Sequence, residues 1–319
     1  MPELTQSSEQ LVAGGAERNK RSAPSDRPFD YLMRGVGVIA AASITLFGWS
    51  VLQNAWPALS QFGSSMFTGT TWDISGNTFG VVPLLLDTLI TTGIALLLAI
   101  PVGVFTALAL VHLIPHPLRR LASTLVELLA AVPSVVYGLW GIWVLIPIFQ
   151  SSIEPWLAKI TNNQWIFSGS FQGFGILCAG TVLAIMILPT IVAISRDVIA
   201  SVQQDLIEGG LSLGATKSQV LTRIVVPTAK TGILGAITLG AGRALGETIA
   251  VAMVIGANPK MPSSLFSTGS TLASNIATQF TEASGISANA LGVLALILMV
   301  VTALINAGSR RLTRGSRAS

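Results

Sequence analysis

Residues 196–230 decide how this chain is read. Within them the run Glu208-Gly-Gly-Leu-Ser-Leu-Gly214-Ala-Thr216-Lys-Ser-Gln219-Val-Leu-Thr-Arg-Ile224-Val-Val-Pro227 carries the pattern. The segment is polar and lies between two strongly apolar stretches, Phe174 to Ser195 and Thr231 to Gly256. It is long for a connecting turn and too short for a catalytic domain, so it is expected to dock something. Gly214 is placed to end one short helix in a left-handed conformation. Thr216, with Gln219 three residues on, has the spacing of a capping box that opens the next helix. The expected product is a helix-turn-helix knob.

The rest of the chain explains what such a knob stands on. Of 319 residues, 51% are hydrophobic and only 10% charged, where a soluble domain carries about 25% charged residues. The mean hydropathy is +0.70. Six stretches are long and apolar enough to cross a hydrocarbon core of about 30 Å: Leu32 to Trp56, Val81 to Val111, Leu121 to Phe149, Phe174 to Ser195, Thr231 to Gly256 and Ala288 to Ala307. The predicted fold class is therefore all-α integral membrane, with six transmembrane helices. Pro101, Pro133 and Pro189 fall inside spans two, three and four, where kinks are tolerated if neighbouring helices or a cavity satisfy the freed carbonyls. The single cysteine, Cys178, excludes a disulfide framework and multi-cysteine metal sites. His112 and His116 flank Pro115 without a third ligand nearby, so neither a metal nor a cofactor is expected.

Basic residues orient the spans. Arg18, Lys20, Arg21, Arg27 and Arg34 lie in the N-terminal region, Arg119 and Arg120 follow span two, Arg196, Lys217, Arg223 and Lys230 follow span four, and Arg310, Arg311, Arg314 and Arg317 end the chain. The opposite face holds only Lys159 and Lys260, which by the positive-inside rule predicts cytoplasmic termini. Because the net charge of +4 comes from residues flanking apolar spans, a nucleic-acid partner is not expected. Residues 1–30 lack an apolar core and cleavage site and are expected to form a disordered cytoplasmic tail. Residues 31–312 are expected as the six-helix transmembrane domain and 313–319 as a short tail. Trp56, Trp72, Trp156, Trp165 and Phe171 mark the ends of the outer connections, as an interfacial aromatic belt does. The outer loop around Ser263 to Ser274 is serine-rich.

The knob segment resembles the EAA loop of ATP-binding-cassette (ABC) importer permeases, whose pattern is Glu-Ala-Ala, three residues, Gly, nine residues, then Ile-x-Leu-Pro. The spacing matches throughout, with Gly209 and Gly210 in place of the alanines and Val226 in place of leucine. Each glycine weakens the first helix by about 1 kcal/mol relative to alanine. The resemblance implies a type I importer permease of MetI-like fold. It assigns Glu208, Gly209, Gly210, Gly214, Ile224 and Pro227 to coupling with a cytoplasmic ATPase subunit. The chain has no Gly-x-x-x-x-Gly-Lys-Ser/Thr sequence of its own, since Gly209 to Gly214 is followed by Ala215, so the reading requires a separate ATPase and makes this chain no enzyme by itself.

Three further runs, Leu129-Ala-Ala-Val-Pro-Ser-Val-Val-Tyr-Gly138, Met186-Ile-Leu-Pro189 and Arg243-Ala-Leu-Gly-Glu-Thr-Ile-Ala-Val-Ala-Met253, are similar to phosphate permeases of the PstC type. Permeases of the PstA type are built from similar motifs, and the long N-terminal tail favours the former. This likeness implies passage of inorganic phosphate across a prokaryotic inner membrane. It also implies a PstA-type second permease, a PstB-type ATPase and a PstS-type extracytoplasmic binding protein. Sulfate or molybdate is the alternative oxyanion.

The residues point to similar chemistry without naming the ion. Arg243 lies near the middle of span five, where a charge costs about 2.5–3.5 kcal/mol and needs a cavity or a partner. Glu247, four residues on, is expected on the same helical face, about 6 Å along the axis. The pair either handles an oxyanion, the guanidinium fork donating and the carboxylate competing, or is a structural ion pair. Gly242 and Gly246 offer a small-residue face for a close helix crossing. Asp87 and Glu127 also fall within spans, nearer their ends, and a structural or snorkelling role is expected of both. A secondary transporter would need no ATPase loop, and a membrane enzyme would need converging nucleophile, base or metal ligands that the chain does not supply.

Overall fold

The computed structural model describes residues 27–162 and 165–315, so residues 1–26 and 316–319, most of the two expected tails, lie outside the described residues. The chain divides after Ser50 into two compact units. Helix α1, Arg27–Phe62, begins in the first, and almost every side chain of residues 29–50 is exposed. Such an apolar exposed surface is what lipid or another membrane helix covers.

In the second unit, α1 is followed by the one-turn helix α2, Ser65–Thr68, and a two-stranded antiparallel hairpin, β1 Trp72–Asp73 and β2 Thr78–Phe79, paired Trp72 to Phe79 and Asp73 to Thr78. Next come α3 (Val82–His112), α4 (His116–Ala131), α5 (Ser134–Ile160), α6 (Ile176–Ala200), α7 (Gln204–Ser212), α8 (Lys217–Leu245), α9 (Ile249–Ile255), α10 (Leu272–Gln279) and α11 (Ile286–Gly315). Among the described residues, α1, α3, α5, α6, α8 and α11 are long and apolar enough to cross a membrane. Six spans are as expected, but two are placed differently.

The third span is not Leu121 to Phe149. Pro133 forces Val132 into an extended conformation (φ −64°, ψ 130°), so the chain breaks there instead of kinking. The residues before the break form the separate amphipathic helix α4, and the span proper is α5. Tyr137 Oη donates to Leu129 O at 2.7 Å across the break. The fifth span is not a helix from Thr231 to Gly256 either: α8 stops at Leu245, and α9 begins at Ile249. Pro101 and Pro189 lie within the unbroken helices α3 and α6.

Small residues set the packing of the spanning helices, since without a hydrophobic drive between them close backbone approach supplies the contact energy. A Cβ on Gly103 of α3 would come within 2.8 Å of Ile191 in α6, one on Gly180 within 2.7 Å of Ile94, and one on Gly240 of α8 within 3.0 Å of Ile191. The buried cluster so formed runs from Ala95 and Ala99 through Leu183, Ile187 and Ile191 to Val251 and Val254 of α9. A second cluster joins the end of α1 to the hairpin and α11 and buries Trp72, whose indole donates to Gln279 Oε1 at 2.7 Å. Trp72 is thus a core residue and not part of an interfacial belt, whereas Trp56 and Trp156 are exposed.

Candidate functional site

The polar loop folds into the expected knob. Gly214 has φ +84°, and the turn is closed by Gly214 N–H to Leu211 O at 3.0 Å and Ala215 N–H to Gly210 O at 3.2 Å. The capping box is formed on both sides: Thr216 N–H donates to Gln219 Oε1 at 2.9 Å and Gln219 N–H to Thr216 Oγ1 at 3.3 Å. A Cβ on Gly214 would meet nothing within 4 Å, so its backbone conformation, and not space, requires glycine. Gly210 serves a different purpose. A Cβ there would reach Ile224 Cδ1 at 2.6 Å and Val220 Cγ2 at 3.2 Å, so its lack of a side chain lets α7 lie against the start of α8.

The second helix of the knob is the first part of α8 itself. Pro227 has no N–H to donate, and a π-helical turn over Leu221–Val225, in which Val226 N–H reaches Leu221 O, carries the helix past it. One rod of 29 residues therefore runs from Lys217 in the knob to Leu245. At 1.5 Å per residue, Lys217 and Arg243 lie about 39 Å apart along it. Glu208, Gly209, Gly214 and Pro227 face out, Ile224 is half-buried and Gly210 is buried. Sequence reasoning missed Leu213, 91% exposed beside the turn, an apolar tip available to a partner.

At the far end of α8 the expected pair is taken apart. Arg243 occupies the last turn, half-buried, and its Nη1 donates to Thr190 Oγ1 of α6 at 3.2 Å. Glu247 falls in the break between α8 and α9, where its Oε1 accepts from Ala250 N–H at 3.2 Å and so caps the start of α9. No salt bridge joins the two, because the helical register that would stack them ends at Leu245. Gly246 likewise lies past the helix end, and a Cβ on Gly242 would meet nothing within 4 Å. Among the described residues, no carboxylate pairs with Arg243.

The sequence matches the family described as "Binding-protein-dependent transport system inner membrane component" over residues 99–314, which take in the knob and both sides of the α8 break. The chain belongs to this permease family. The permease is 42% identical to the protein named phosphate transport system permease protein PstC of Haemophilus influenzae, over 80% of this chain and 82% of that one. It is 38% identical to the protein of the same name from Mesorhizobium japonicum, over 91% and 90%. Among solved structures it resembles a bacterial alginate ABC transporter (17% identity, TM-score 0.60, 90% of this chain and 97% of that one). It also resembles the inward-facing MetNI methionine ABC transporter (20% identity, TM-score 0.53, 74% and 94%). These two likenesses establish the importer-permease fold.

Glu127 and Asp87, the other two charged residues expected within spans, make contacts inside the protein. Glu127 lies outside the six candidate spans: it projects from the amphipathic α4 and pairs with Arg196 Nη1 at 3.0 Å, while Arg196 Nη2 holds Asp197 at 2.8 Å. Asp87 does not snorkel. It is fully buried in α3, and its Oδ2 accepts from Ser270 N–H at 2.8 Å. Thr88 Oγ1 next to it accepts from Leu272 N–H at 2.9 Å. The two side chains hold the start of α10, 183 residues away in sequence, which no local pattern announces.

Proposed function

We propose that this permease forms one half of the membrane pathway of an ATP-driven importer of inorganic phosphate, with its termini and the Glu208–Pro227 knob on the cytoplasmic side. Its partners are a homologous PstA-type permease, a PstB-type ATPase that grips the knob, and a PstS-type binding protein outside. The observation that carries this reading is the unbroken α8. The second helix of the docking knob is the first turns of the same rod that holds Arg243 in its last, so force applied at Glu208, Gly214 and Leu213 and passed through the turn moves Arg243 against α6.

Arg243 supplies the chemistry. A guanidinium is always charged and presents paired donors suited to a tetrahedral oxyanion. Anchored through one nitrogen to Thr190, it retains further N–H groups for a passing ion. Glu247 sits a turn beyond, in the break between α8 and α9, and restrains the attraction so that the anion is released. Phosphate as the ion is supported by the named relatives and by the fit of this donor set to an oxyanion.

The test is co-purification with the ATPase subunit followed by reconstitution with the binding protein in liposomes. ATP-dependent uptake of phosphate, with hydrolysis stimulated by the loaded binding protein, is the expected result. Uptake of sulfate or molybdate in its place would overturn the substrate assignment, and failure to assemble with an ATPase would overturn the coupling role. Topology is checked by labelling with an impermeant thiol reagent: Ser170→Cys reacts from outside and Ser309→Cys does not.

A further inference from the structure

The serine-rich segment between α9 and α10 builds a hollow at the end of α6 remote from the knob. The segment is tightly held: Gly256 turns it at φ +93°, Asn258 N–H donates to Gly269 O at 2.9 Å, Ile176 N–H to Ser267 O at 3.1 Å, and Asp87 and Thr88 pin its far end. The residues that follow α5 close the other side with Gly169, Ser170 and Gln172, around a space of about 290 Å³.

The lining is rich in donors. Ser170 Oγ accepts from Gln172 Nε2 at 3.0 Å, Thr268 Oγ1 from Asn258 Nδ2 at 3.1 Å, and Ser264 Oγ from Phe266 N–H at 3.2 Å. In each case the protein uses the oxygen and leaves the hydroxyl hydrogen to donate elsewhere. Among the described residues, the exposed Lys260 is the single charge in the lining, which contains no carboxylate. A wall of hydroxyl hydrogens with one ammonium and no acceptor charge suits a ligand that is all acceptors. The neighbouring hollow, which shares Lys260 and Asn258 as a wall, adds the carboxylates of Asp73 and Glu282 and so lacks this character. With a water occupying about 30 Å³, the space admits a tetrahedral oxyanion with part of its hydration shell, which makes for weak holding and quick release.

We propose that this hollow is an oxyanion-receiving site on the outer face, where inorganic phosphate rests before it enters the helices. Phosphate as the ion rests on the function proposed above. Lys260 supplies the attraction, and Ser170, Ser264 and Thr268 replace lost water.

The test uses the reconstituted four-component complex carrying Ser263→Cys, an exposed lining position, and follows its modification by an impermeant maleimide. Inorganic phosphate is expected to slow modification at constant ionic strength. Lys260→Gln should raise the phosphate concentration for half protection about fivefold, the upper range for an exposed charge contact. Ser170→Ala should raise it about twofold to threefold, as for one neutral hydrogen bond. Lys260 and Ser170 are both exposed, so neither change threatens the fold. Phosphate uptake in the same vesicles without any protection overturns the site and leaves the importer reading intact. Protection without uptake overturns the importer reading alone. Protection equal in the parent and in Lys260→Gln overturns the site.

Discussion

The two ends of α8 are made in different ways. At the knob end every feature is local: a left-handed glycine, a capping box and a proline passed by a π turn, all within the 20 residues quoted from Glu208 to Pro227. At the other end Arg243 and Glu247 are only four positions apart, yet the chain parts them. One residue is tied to α6 through Thr190 and the other to the first turn of α9. The first end is a rigid handle shaped by the chain's own turn chemistry. The second is a joint whose form depends on which neighbours α6 and α9 present. The function proposed for this permease, conversion of a push at one end into release of an ion at the other, would draw on this asymmetry.

The comparison is broken most severely by removing the guanidinium. Arg243→Gln is expected to lower phosphate uptake in proteoliposomes about a hundredfold, since a charged hydrogen-bonding group contributes up to about 3 kcal/mol. Insertion and ATPase assembly should be unchanged. Arg243→Lys should recover little, because a point charge cannot hold Thr190 and a second oxygen in one plane. Uptake within about twofold of the parent in the glutamine variant would assign the residue to structure alone.

Gly214→Val comes next. A β-branched residue at φ +84° is strained by about 1–3 kcal/mol, but there is open space around it, so the chain should fold while the turn is reshaped. Co-purification with the ATPase and binding-protein-stimulated hydrolysis should both fall about tenfold. Gly214→Asn, which tolerates the left-handed region, should retain most of both. Normal transport by the valine variant would show that the knob is not the docking element.

A smaller effect is expected at Glu247. Glu247→Gln keeps an oxygen for Ala250 N–H and should hold uptake within about threefold. Glu247→Ala also loses the cap, about 1 kcal/mol, and should lower both uptake and the thermal midpoint. Equal loss in both variants would place the carboxylate charge, and not the cap, at the centre of its role.

The smallest effect sharpens the comparison inside the knob. Gly210→Ala gains about 1 kcal/mol of helix propensity and must push the flexible end of Ile224 aside, so hydrolysis and uptake should stay within about twofold. A loss as large as that of Gly214→Val would mean that the packing of α7 on α8, and not the turn, shapes the handle.

How much was legible follows from the range of each interaction. The six apolar stretches, the knob and its capping box were readable because a hydrocarbon core demands continuous apolar length and because caps act between residues three positions apart. The third span was misplaced because Val132 and Pro133 are apolar and read as part of a run, while the backbone restriction before proline splits it into α4 and α5. The Arg243–Glu247 pair was misdrawn because nothing in a four-residue spacing tells whether the helix continues. Asp87 was assigned a place but not a partner.

The sequence by itself determined that this chain has six stretches long and apolar enough to cross a bilayer, and that a polar knob stands between the fourth and fifth of them. Each of these is a statement about composition or near neighbours, which the chain carries wherever it goes. Only the tertiary structure decided that α8 ends at Leu245, that Arg243 binds Thr190, that Asp87 holds Ser270, and that Ser263, Ser264 and Ser267 line one hollow. Those depend on groups tens to hundreds of residues apart meeting at hydrogen-bonding distance. The packing of α3, α6 and α8 through their glycines brings them there.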